Sequence, residues 1–178
     1  MYEQFKTRAE GVSAEVHRFG TRGEALGFVA GFLREQETAD APGRRALWAE
    51  CPFLDGLDRS PLGGIAGLGF RVTRELAAET RIGISQLGWA LADTGTLVQD
   101  AAAVEPRLVS TLPDIHIALV PTSGILPDMP ALLERLTPDQ SSYIAMITGP
   151  SRTADIERVL TIGVHGPERL VIVFVDEL

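Results

Sequence analysis

Between residues 22 and 36, Leu26, Val29, Ala30 and Leu33 recur at three- and four-residue intervals among polar neighbours, the spacing of an amphipathic helix. Beyond it the pattern changes to short apolar runs. Residues 46–49, 81–86 and 89–92 supply apolar segments, and 115–120, 143–148 and 170–175 read as strands. Residues 73–79, 129–136 and 154–162 read as helices between them. Runs rich in Ile, Val and Leu that alternate with amphipathic helices fit strands covered on both faces. The expected architecture is therefore α/β, a three-layer α/β/α sandwich on a largely parallel sheet.

Length sets the domain count. The chain of 178 residues is expected to form one domain over residues 1–178, with residues 1–40 a less distinctive helical region. Sixteen basic and 24 acidic side chains leave a net charge of −8, which repels phosphodiester backbones and anionic lipid surfaces, so neither nucleic acid nor a membrane is an expected partner. No apolar stretch approaches the eighteen or so residues of a membrane span, and a cytoplasmic protein is expected. Cys51 is the single cysteine, which excludes an internal disulfide and any Cys-x-x-Cys metal or cluster motif. Lys6 is the single lysine and is expected in a mobile terminus, which argues against Schiff-base chemistry.

Candidate chemistry concentrates in a few loops. Gly64 and Gly69 have the spacing of a phosphate-binding loop, but Phe70 and Arg71 stand where Lys and Ser or Thr are needed, so a plain connection is expected. Asp93, Thr94, Gly95 and Thr96 interrupt an apolar segment. At the carboxyl end of a parallel strand, Asp93 could exchange a proton while the hydroxyls and the Gly95 N–H hold an oxyanion. The alternative is a tight turn with Asp93 satisfying local N–H groups. Ser151, Arg152 and Thr153 precede the expected helix at 154, so Thr153 reads as its N-cap and Asp155 and Glu157 fall in its first turn. Those carboxylates would repel a phosphate, so the segment reads as a helix cap, or as a site where Asp155 itself is the acceptor, ahead of a phosphate cradle. Gly163, His165, Gly166 and Pro167 then end the helix, and His165 could donate a proton or sit idle in solvent. Asp114 and His116, two apart, would share a strand face, yet no recognised metal spacing completes them.

The segments Leu91-Ala92-Asp93-Thr94-Gly95-Thr96-Leu97 and Leu112-Pro113-Asp114-Ile115-His116-Ile117-Ala118-Leu119-Val120 resemble the LutC/YkgG family of LUD-domain proteins. Two further segments, residues 148–157 and 163–167, extend the resemblance in the family's order. It implies a fold like that of the ribose-phosphate isomerases, glucosamine-phosphate deaminases and CoA transferases. It also implies a part in oxidising L-lactate to pyruvate beside two iron–sulfur companions, LutA-like and LutB-like proteins, with no cofactor in this chain. Carried over residue by residue, the candidate catalytic groups are Asp93 and His165. Thr94, Gly95, Thr96, Ser151, Arg152, Thr153, Asp155, Glu157 and Gly166 would contact a ligand, a small anion among the options. The alternative function is that of a small-molecule transferase or isomerase, by analogy of fold.

Overall fold

The computed structural model describes residues 1–137, 139, 141–154, 160–163 and 165–178. Helix α1 (Tyr2–Gly11) leads into strand β1 (Glu15–Phe19) and helix α2 (Arg22–Glu35). Strands β2 (Arg45–Trp48) and β3 (Leu68–Gly69) precede helix α3 (Arg74–Ala78) and strands β4 (Thr80–Gln86), β5 (Trp89–Leu91) and β6 (Thr96–Asp100). Then come α4 (Val104–Thr111), β7 (Ile115–Pro121), β8 (Ile125–Leu126), α5 (Met129–Leu133) and β9 (Ile144–Ile147). Strands β10 (Arg152–Ala154), β11 (Leu160–Ile162) and β12 (Arg169–Val175) complete the described elements.

Six strands in the order β1-β12-β7-β4-β2-β3 form the main sheet, and every neighbouring pair runs parallel. The expected α/β architecture on a parallel sheet is thus the observed one. Helix α2 starts where the periodicity places it because Thr21 and Glu24 form a reciprocal capping box that satisfies orphan N–H groups at its first turn. Its stripe of Leu26, Val29, Ala30 and Leu33 covers one face of the sheet. The other face carries α1, α4 and a second sheet of order β8-β5-β6-β9. Among the described residues no helix is long and apolar enough to cross a membrane.

Three sequence expectations change. The first residues form a docked helix, not a mobile end: Phe5 and Ala9 are fully buried, and the Phe5 ring meets Phe174 edge-on at 5.1 Å. Residues 143–148 hold a strand, but β9 pairs antiparallel with β6 in the second sheet, outside the parallel one. No helix begins at 154. Arg152–Ala154 and Leu160–Ile162 pair antiparallel as β10 and β11, so Thr153 sits in a strand and does not cap a helix. The pairing joins Arg152 to Ile162, well beyond one helical turn, so local helix periodicity conceals it. Asp155 and Glu157 lie outside the described residues.

Candidate functional site

His116 is the second residue of β7, inside an otherwise apolar run. Side chains alternate along a strand, so Ile115 and Ile117 enter the layer under α2 while His116 faces the opposite way. There its imidazole is fully buried. Nε2 lies 2.9 Å from Ser85 Oγ on β4, and Nδ1 has no hydrogen-bond partner. Ser85 Oγ accepts from Gln99 Nε2 at 3.2 Å, and Gln99 Oε1 accepts from Ser110 Oγ at 3.1 Å. Four side chains from β7, β4, β6 and α4 thus make one continuous polar line through the interior. Burial alone pushes the His116 pKa down to about 3, so the ring is neutral at physiological pH.

One glycine permits this arrangement. Gly83 is the register partner of His116, and a Cβ there would stand 1.8 Å from the Val109 carbonyl oxygen. Helix α4 therefore rests directly on the bare backbone of β4, which brings the next residue, Ser110, to Gln99. The close approach is affordable only without a side chain.

A cavity of about 340 Å³ adjoins this line, near the amino-terminal ends of β7 and β12. His116 and Leu170 contribute from the sheet, Ser110 and Thr111 from the last turn of α4, and residues 146–152 and 165–167 from the loops and the end of β9. Backbone bonds clamp the two loops together: Ser151 N–H donates to Pro167 O at 2.8 Å, and Gly163 N–H to Ser151 O at 3.0 Å. Gly163 is left-handed, as expected, at φ +79°, but it follows a strand.

Of the residues singled out in the sequence, Ser151, Arg152, His165 and Gly166 line this one cavity. Arg152 donates to Val12 O at 2.8 Å and to Ser13 Oγ at 2.9 Å, which pins its guanidinium at the turn between α1 and β1. His165 is exposed. The Asp93 group behaves differently. Residues 92–95 form the turn between β5 and β6, an antiparallel hairpin, so they do not lie after a strand of the parallel sheet. Gly95 is left-handed at φ +70° and donates to Leu91 O, and a Cβ there would lie 2.5 Å from the Ala9 nitrogen of α1. Asp93 and Thr94 are exposed and line a separate groove with Thr7, Arg8, Gly11 and Val12. Only Thr96 turns toward the cavity, its Oγ1 lying 2.9 Å from Thr148 Oγ1 in the cavity wall. Asp93 and His165 therefore do not share a cavity. Asp114 precedes β7 and is exposed, so it does not pair with the buried His116 around a metal. Among the described residues no group of three His, Cys, Asp or Glu side chains could hold a metal ion.

Ser85, Gln99 and Ser110 escaped the sequence reading, and His116 drew notice only as a metal ligand. A signal was present: Ser85, Gln99 and His116 each interrupt an apolar strand, where a polar residue costs free energy unless it is hydrogen-bonded.

The LUD domain model matches residues 2–175. Lactate utilization protein C of Exiguobacterium sp. (strain AT1b) is 40% identical over 112 residues, which cover 60% of this chain and 49% of that protein. Its namesake from Bacillus subtilis (strain 168) is 36% identical over 107 residues, 57% of this chain and 45% of the relative. The matched region spans about half the length of these relatives. A crystal structure of a DUF162 family protein from Deinococcus radiodurans superposes with a TM-score of 0.68 at 19% identity, covering 98% of this chain and 95% of that one, so the fold is shared. A match that runs from α1 through β12 carries the conclusion that this chain belongs to the LUD domain family.

Proposed function

We propose that the protein serves L-lactate utilization as a component without an iron–sulfur cluster of its own, acting beside LutA-like and LutB-like iron–sulfur proteins that carry out the oxidation to pyruvate. The observation that carries this reading is the 40% identity to a lactate utilization protein C. Cys51 adds to it. One half-buried cysteine, its thiol pushed up in pKa by burial, is no ligand set for a cluster, so in this reading the cluster thiolates lie outside these residues. The cavity beside Arg152 and His116 gives the component a place to hold a small molecule.

Removing the gene from its host and supplying L-lactate as sole carbon source tests the role. Growth should fail and return when the gene is restored, and the tagged protein should co-purify with both iron–sulfur companions. Undiminished growth on L-lactate, with no association, would overturn the reading.

A further inference from the structure

The polar line behind the cavity has a direction. The Ser110 hydroxyl has one proton and two acceptors at 3.1 Å, Gln99 Oε1 and Arg107 O, so the sense of the line is set instead by the Pro106 carbonyl, which can only accept and faces the Gln99 amide nitrogen at 3.5 Å. The Gln99 nitrogen then donates to Ser85 Oγ, and the Ser85 hydroxyl proton is left for His116 Nε2. The opposite tautomer would bury that hydroxyl proton with no acceptor. His116 therefore carries its own proton on Nδ1, and this N–H is the buried end of the line with no partner. Buried polar groups in native proteins are almost always bonded, and this donor, although closed to solvent, belongs to a side chain of the cavity wall, where an acceptor would complete it.

The charge at the mouth limits what that acceptor can belong to. Arg152 is held by the Val12 carbonyl and the Ser13 hydroxyl, two neutral groups, and among the described residues no carboxylate pairs with it. His116 is neutral. Among the described residues Arg152 is the one fixed positive charge on the cavity lining, which in a chain of net charge −8 suits a monoanion better than a phosphate dianion. A volume of about 340 Å³ is at the lower end for small-molecule sites.

We propose that this cavity binds a small monocarboxylate, one oxygen of which accepts from His116 Nδ1–H while Arg152 balances its charge. The choice of L-lactate and pyruvate as probes rests on the lactate reading above. The Ser110, Gln99 and Ser85 side chains position His116 by fixing its tautomer and ring plane.

The test uses the full chain with ¹⁵N-labelled imidazoles. Nitrogen–proton correlation spectra should show His116 protonated on Nδ1. L-lactate or pyruvate should shift that resonance saturably, whereas inorganic phosphate at equal concentration should not. Arg152→Gln, an exposed change, should weaken binding by about ten-fold, the scale of a lost charge-assisted bond. His116→Phe should abolish it, with thermal unfolding as the check that the fold persists. An Nε2-protonated ring, a resonance unmoved by both carboxylates, or saturation by phosphate alone would overturn the proposal. The two readings fail separately. Saturable carboxylate binding with normal growth of the deletion strain sinks the lactate role and leaves the site standing. A growth defect with a silent His116 does the reverse.

Discussion

The two faces of the main sheet use the same strands, and both are largely apolar, but only one carries a buried polar line. Ile82, Ile84, Ile115, Ile117, Val171 and Val173 point under α2, where Trp48 and Phe53 close an apolar layer. One residue along the same strands, Gly83, Ser85 and His116 point the other way, into a polar line and a cavity. The apolar layer is stabilised by area and packing, which make no demand on direction. The polar line is stabilised only where its donors meet acceptors in the right orientation, and the rest of that face is apolar around Ala118, Val120, Ile172 and Phe174. A site can thus occupy one face because the other secures the strands that position it.

The largest expected break in this contrast is Gly83→Ala. The new methyl group would meet the Val109 carbonyl, which is helix backbone and cannot swing aside, so a loss of more than about 4 kcal/mol is expected in urea unfolding. Next comes the dry face: Ile117→Ala should cost about 2–5 kcal/mol through cavity formation. That variant should leave the His116 imidazole resonances in place, and movement there would show that the two faces are coupled. Ser85→Ala strikes the polar line. It should cost about 1–3 kcal/mol and lose the preference for the Nδ1–H tautomer, which the same spectra would reveal.

Smaller still, per unit of pH, is the titration of His116. Its folded pKa is lowered to about 3 by burial, below the ordinary value of 6.5. The unfolded chain therefore binds a proton that the folded one refuses. The stability that comes from keeping the ring neutral is complete above pH 6.5 and is lost as pH falls toward about 3. The slope should reach about 1.4 kcal/mol per pH unit. Comparing denaturant midpoints of wild type and His116→Phe isolates this contribution, and parallel pH profiles for the two would refute it. Arg152→Gln should change stability least, by no more than about 0.5 kcal/mol, because the side chain is exposed and bonded to neutral groups. A larger loss would mean that it holds the cavity loops together.

Much of the scaffold was legible from local pattern. The α2 stripe, the apolar runs of β7 and β12 and the short helix α3 within 73–79 all arise from neighbours within a few residues. Convergence of Ser151, Arg152, His165 and Gly166 was not legible, since sequence order does not say which loops meet. Secondary structure at 152–162 was misread, because strand pairing between Arg152 and Ile162 is a longer-range contact than a helical turn. Asp93 misled for a related reason. A break between apolar runs looks alike whether it joins a parallel strand to a helix or turns an antiparallel hairpin.

By itself, then, the sequence determined the parallel α/β scaffold, the likeness to the LUD domain family and the impossibility of a cysteine-held cluster within these residues, since each depends on composition or on runs of adjacent residues. Tertiary structure alone decided the polar line. Ser85 and His116 are 31 residues apart and meet because β4 and β7 pair in this register, and the bare backbone of Gly83 lets α4 bring Ser110 to Gln99. Register is set by the packing of whole strands between layers. A one-residue slip would leave every local pattern in the chain unchanged while turning His116 away from its partners.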